Sequence, residues 1–156
     1  MNALHAHLAL NHFPIVLSVL LIAVTFVAIV LPAREWRIAA ASLAILVAFT
    51  AGLAVYTGEQ AEEMTHELAG FTEELVQAHE DAAKIALYLC ILLGALAVPL
   101  FFLPEERLLL RRLAYGALFL FTLIAVSFLI RAGFTGGSIS HPEIHGQGWL
   151  PRLEGE

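Results

Sequence analysis

Four apolar runs dominate the chain, and each is long enough to cross a lipid bilayer as a helix. They cover residues 8–31, 36–56, 84–103 and 108–131. About 20 helical residues at 1.5 Å each span the ~30 Å hydrocarbon layer, where the backbone must satisfy its own hydrogen bonds. Hydrophobic residues make up 60% of the 156 residues and charged residues only 14%. The sequence therefore predicts an all-α fold, a four-helix transmembrane bundle forming one integral membrane domain.

The basic residues predict the orientation of this bundle. Five of the eight lie in or beside the two short links between spans one and two and spans three and four, namely Arg34, Arg37, Arg107, Arg111 and Arg112. Loops rich in Lys and Arg stay in the cytoplasm. Both termini are therefore expected on the outer, periplasmic side of a bacterial inner membrane. No Lys or Arg precedes Arg34, so the first run is predicted to be a retained span and not a signal peptide.

Residues 57–83 form the only long polar segment and are expected on the outer side between spans two and three. Gly70 suits the end of one short helix and Thr72 the start of the next. The second helix is predicted to run through His79 into span three, placing His79 about one turn above Lys84. The acidic residues of this segment are expected to form a solvated face, or to attract a cationic partner such as a basic cytochrome.

The seven histidines are all predicted to lie on the outer side. They are His5, His7, His12, His66, His79, His141 and His145. A neutral imidazole is a common ligand of transition metals and an axial ligand of haem iron. Four of them come from separate parts of the chain that a bundle would bring together, and these are the predicted cofactor ligands: His12, His66, His79 and His141.

The outer end of span four and the tail that follows it carry two further predictions. Arg131 is expected either to pair with a haem propionate or a carboxylate of the outer segment, or to reach the lipid headgroups. In the tail, residues 132–156, the glycines at 133, 136 and 137 are predicted to form a flexible turn that brings His141 back over the bundle.

Small residues recur every four positions in spans two and three. They are Ala40, Ala44, Ala48 and Gly52 in span two, and Ala86, Cys90 and Gly94 in span three. Such stripes allow close helix packing in membranes, which is the preferred interpretation. The alternative is that the stripe below His79 leaves room for a flat cofactor. No internal repeat stands out.

Several function classes are disfavoured by what the sequence lacks. The central parts of the spans contain no Asp, Glu, Lys or Arg, which channels and secondary transporters normally need. Cys90 is the only cysteine, so there is no disulfide framework and no motif for covalent haem. The net charge is −6 and no basic patch is present, so nucleic acid is not an expected partner.

Three segments of the chain resemble one protein family. They are residues 4–16 (LHAHLALNHFPIV), 57–80 (TGEQAEEMTHELAGFTEELVQAHE) and 136–144 (GGSISHPEI). Together they resemble four-span bacterial membrane proteins in or near the family DUF2231. The resemblance implies redox work beside c-type cytochromes, with His12, His79 and His141 at the matching positions. His66 falls in a less constant stretch, and His5, His7 and His145 look peripheral to the shared pattern.

The leading hypothesis is a membrane-bound b-type cytochrome, an electron-transfer protein more than a stand-alone enzyme. One or two haem b groups would be held near the outer face by pairs of the four predicted histidines. Two axial histidines leave no open position on the iron, which favours electron transfer. A c-type cytochrome, another periplasmic redox protein or a quinone would exchange the electron.

Two alternatives stay open. In the first, the same histidines and Glu63 bind copper, zinc or iron directly, in a metal-binding protein or an enzyme. In the second, the chain is a small structural subunit of a larger respiratory or photosynthetic complex, and its histidines have no cofactor.

Overall fold

Five α-helices and one short 3-10 helix build the fold. The computed structural model of the protein describes residues 3–31, 33–65 and 73–140. The elements are α1 (Ala3–Leu10), α2 (Phe13–Val30), α3 (Arg34–Thr65), α4 (Glu73–Ala97), the 3-10 helix (Val98–Phe102) and α5 (Leu108–Ser140). Four segments are long and apolar enough to cross a membrane, and the described residues contain no strand. The predicted all-α four-helix bundle is confirmed.

The four long helices form a closed ring in chain order. α3 packs against α2 and α4, and α5 packs against α4 and α2. One end of the ring holds α1, the end of α3, the start of α4 and the end of α5; we call it the histidine end. The other end holds the links from α2 to α3 and from α4 to α5 with their arginines; we call it the arginine end.

A break at Asn11 and His12 separates α1 from α2. Pro14 has no backbone N–H and cannot donate to the carbonyl of Leu10, which agrees with an interruption of the helix just before it. Asn11 still donates to the carbonyl of His7 at 2.9 Å. Beyond the break α1 packs against α3, which brings His7 to the outer part of that helix.

The helices at the histidine end are longer than the apolar runs. α4 runs unbroken from Glu73 through His79, as predicted, and α5 continues to Ser140. The flexible turn predicted at the three glycines is therefore wrong, because Gly133, Gly136 and Gly137 all lie within α5. A glycine costs a helix only about 1 kcal/mol relative to alanine. Packing of α5 against α4 compensates that cost here.

The small-residue stripes of α3 and α4 meet at the centre of the bundle. Ala40, Ala44 and Cys90 are completely buried. A Cβ atom added to Gly94 would lie 2.8 Å from Cβ of Ala48, closer than two carbon atoms can pack. The preferred interpretation of these stripes, close helix packing, therefore holds at this level of the bundle.

This contact predicts opposite effects for one substitution at two glycines. Gly94→Ala should lower the free energy of unfolding by about 1–3 kcal/mol, because its methyl group would overlap Ala48. Gly116→Ala in α5 should raise it by up to about 1 kcal/mol, because no described atom lies within 4 Å of the new methyl group and alanine favours the helix. Thermal unfolding of both variants in detergent measures the difference. Equal shifts in the two variants would contradict the close approach at Gly94.

Candidate cofactor site

Two histidines face each other at the histidine end. His7 comes from α1 and His79 from α4, and their ring centres are 6.3 Å apart with planes inclined at 69°. Both rings are half-buried. His79 was one of the predicted ligands, whereas His7 was considered peripheral.

The imidazole of His7 is fixed by the backbone of α3. Its Nδ1 lies 2.9 Å from the carbonyl oxygen of Ala54 and 3.5 Å from Oγ1 of Thr57. The Thr57 hydroxyl lies 2.9 Å from the carbonyl oxygen of Leu53 and 3.1 Å from that of Ala54. A carbonyl oxygen can only accept, so Nδ1 of His7 carries the proton and donates it. The neutral ring therefore has its free lone pair on Nε2.

The imidazole of His79 is fixed in the same way by α5. Its Nδ1 lies 3.0 Å from the carbonyl oxygen of Ala132 and 3.2 Å from Oγ1 of Thr135. The Thr135 hydroxyl lies 3.2 Å from the carbonyl oxygen of Arg131 and 3.0 Å from that of Ala132. His79 therefore also donates through Nδ1 and has its lone pair on Nε2.

Each histidine donates to a carbonyl of another helix, α3 for His7 and α5 for His79, which we call its receiving helix. A glycine on the receiving helix makes room for each ring. A Cβ atom on Gly58 would lie 3.1 Å from Cε1 of His7. A Cβ atom on Gly136 would lie 2.9 Å from Cε1 of His79 and 3.2 Å from its Nδ1. A Cβ atom at Gly136 would force the ring to move, and one at Gly58 would make a tight contact, so both glycines give the imidazoles space and are part of the site.

The two receiving helices carry a similar short sequence pattern. Residues 54–58 read AVYTG and residues 132–136 read AGFTG, so both follow the pattern Ala-x-aromatic-Thr-Gly. In each copy the alanine carbonyl accepts from the histidine, the threonine hydroxyl lies beside the same nitrogen, and the glycine gives the ring space. This short pattern occurs twice, although no longer internal repeat stands out in the sequence. Each half of the chain builds one histidine with its own receiving helix.

The hydrogen-bond pattern decides what this pair can do chemically. Two imidazoles on opposite sides of one metal ion have ring centres about 6 Å apart, since each metal–nitrogen bond is about 2 Å and the ring centre lies roughly 1 Å beyond. Simple ring packing covers the same distance range. However, metal-binding histidines characteristically donate their second ring N–H to a carbonyl or carboxylate, which fixes the tautomer. Both rings here meet that condition.

The described residues bring two imidazoles together at this position. No group of three or more His, Cys, Asp and Glu side chains within the described ranges could hold an ion. A structural zinc site normally needs four protein ligands. Haem iron needs only two, since the porphyrin supplies the other four nitrogens. The donor set therefore suits a bis-histidine haem better than a zinc ion.

The other predicted site residues lie away from this pair or outside the described residues. His12 stands at the break between α1 and α2 with an exposed side chain, and Arg131 is exposed on α5. His66 and His141 lie outside the described residues, as does the side chain of Glu63. Their roles as ligands stay predictions.

No protein family, curated protein or solved structure matches this chain. The resemblance to DUF2231 therefore stays a prediction, and the chemistry of the site is argued from its own residues.

Proposed function

We propose that this chain is a membrane-bound b-type cytochrome that transfers electrons through a haem b held between His7 and His79. The observation that carries the proposal is the pair of imidazoles, each with Nδ1–H bound to a backbone carbonyl and with ring centres 6.3 Å apart. The proposal changes the ligand pairing expected from the sequence, because His7 takes the place of His12, His66 or His141.

The residues around each imidazole have a defined part in this function. The carbonyls of Ala54 and Ala132 accept the Nδ1 protons, which orients the rings and makes Nε2 a stronger ligand. Haem iron, when bound, supplies one-electron chemistry. Two histidine ligands would leave no open position on the iron for oxygen. Electron transfer is the function that such a ligand set favours.

The surroundings of the site support a redox partner at the histidine end. Glu73, Glu74 and Asp81 are exposed at the start of α4. Such an acidic surface would attract a basic partner, for example a c-type cytochrome, and a quinone could reach the site from the adjacent lipid. The arginines at the opposite end favour a periplasmic position for this end in a bacterial inner membrane.

Direct binding of copper, zinc or iron is the second candidate. The same two Nε2 atoms could bind a bare ion, and imidazole suits all three metals. Copper fits this pair best among them, because zinc normally takes four ligands and the described residues bring only two together here.

The visible spectrum of the purified protein tests the proposal. A Soret band with split α and β bands on reduction is expected for bis-histidine haem. A colourless protein that contains stoichiometric copper, zinc or iron by elemental analysis would contradict haem and support the second candidate. A protein with neither haem nor metal would contradict both the haem proposal and the metal proposal. The remaining hypothesis would then be a structural subunit of a larger complex.

A further inference from the structure

Two buried arginines at the arginine end lack a full set of partners. Arg37 on α3 and Arg111 on α5 are each only 8% exposed. The Nε atom of each has no hydrogen-bond partner among the described residues. A buried guanidinium is costly unless its charge is paired and its N–H groups are bonded. Arg37 also lines a cleft at this end, so its unbonded Nε points to a missing anionic partner there.

The carboxylate of Glu105 does not balance the positive charge of the arginines at this end. Glu105 lies 3.1 Å from Nη2 of Arg37 and 3.9 Å from Nε of Arg34, and its side chain is 63% exposed. Both links and their flanks together hold five arginines but only three glutamates, at positions 35, 105 and 106. The arginine end therefore keeps a surplus of positive charge.

A cleft beside Arg37 is lined partly by polar and partly by apolar residues. Its volume is about 30 Å³, and Arg34, Arg37, Glu105 and Tyr115 line its polar part. The hydroxyl of Tyr115 donates to the carbonyl oxygen of Arg37 at 3.2 Å, which fixes the backbone there. A cleft of this size holds roughly two water-sized atoms, enough for two oxygen atoms of a larger anion.

The apolar walls of the cleft include side chains that are partly exposed on the surface of the bundle. They are formed by Ile38 together with Leu100, Phe101 and Leu103, which the 3-10 helix and its end place beside α3. Phe101 and Ile38 are about two-fifths exposed, at 41% and 40%. Such walls suit a hydrocarbon chain attached to the anion.

We propose that this cleft is a phosphate-binding site formed by Arg34 and Arg37, which takes the phosphate of an anionic phospholipid or free phosphate. The planar fork of arginine matches two phosphate oxygens, and basic pockets between transmembrane helices bind lipid headgroups. The site lies at the end of the bundle opposite to His7 and His79, so it is independent of the proposed cytochrome function.

Native mass spectrometry of the full-length protein tests the lipid source. The protein is incubated in detergent with phosphatidylglycerol or with phosphatidylcholine, and retained lipid is counted. Phosphatidylglycerol should be retained about tenfold better, and Arg37→Gln and Arg34→Gln should each remove most of this preference. Arg112→Gln is the matched control, since this arginine is exposed at the same end. Arg34 is largely exposed, so its variant is expected to fold even if Arg37→Gln does not.

Glu105→Gln separates a phosphate site from a simple ion pair. It removes the carboxylate that competes for Arg37, so phosphate should bind several-fold more tightly. Calorimetric titration with inorganic phosphate forms the second arm, and binding that depends on Arg34 there identifies free phosphate as the source. The proposal is overturned if neither lipid nor phosphate binding differs among the wild type, Arg34→Gln and Glu105→Gln.

Discussion

Replacing His79 with alanine is expected to abolish haem binding and leave a colourless protein without a Soret band. The substitution removes one of the two Nε2 ligands, and no other imidazole among the described residues lies opposite His7 in the same way. His7→Ala should have the same effect, because the pair shares one iron. Haem content per protein, from the pyridine haemochrome spectrum, is the measurement. We expect less than about a tenth of the wild-type content in each variant.

Matched histidine variants make this result specific. His12→Ala should keep wild-type haem content, because the His12 side chain is exposed at the break between α1 and α2. His141→Ala tests the pairing expected from the sequence. Loss of haem in His79→Ala and His141→Ala, with full retention in His7→Ala, would show that His7 is not the second ligand. Wild-type haem content in both His7→Ala and His79→Ala would contradict the proposed site.

A larger side chain at Gly136 is expected to weaken haem binding although both proposed histidine ligands are kept. Even the first carbon of a valine side chain would lie 2.9 Å from Cε1 of His79, so the imidazole must move away from the carbonyl of Ala132. Gly136→Val should therefore lower haem affinity by about ten- to a hundredfold, the usual effect of losing an orienting hydrogen bond. It should also lower the free energy of unfolding by about 1–3 kcal/mol.

Gly137 provides the control for this prediction. It is the next residue of the same helix, it is exposed, and no described atom lies within 4 Å of a Cβ atom placed on it. Gly137→Val carries the same helix propensity change but leaves His79 in place. Haem titration and thermal unfolding of the two variants should differ clearly. Similar losses in both would mean that helix propensity, and not the space beside His79, limits the site.

The repeated pattern Ala-x-aromatic-Thr-Gly is visible in the sequence, but its contacts with His7 and His79 are not. Thr57-Gly58 and Thr135-Gly136 stand near the same end of spans two and four, at equivalent places in the two halves. Glycines near a polar tail more often indicate a turn, which is what the sequence predicts for Gly136. The contact with His79 shows why a glycine inside a helix suits this position.

The pairing of His7 with His79 also depended on tertiary structure. His7 binds a carbonyl 47 residues away and His79 one 53 residues away. His7 reaches its partner because α1 packs on α3. The missing N–H of Pro14 accounts for an interruption of the helix, but which helix α1 contacts depends on packing.

The sequence by itself determined the four membrane-spanning helices and placed most charged residues at the ends of the bundle. These features depend on the length of apolar runs and on the cost of burying charge, which are local properties of the chain. The tertiary structure alone decided which histidines meet, which helices hold them and how the four long helices are ordered. Those outcomes depend on contacts between groups far apart in the chain, and at Gly136 a shift of less than an ångström separates a fit from an overlap.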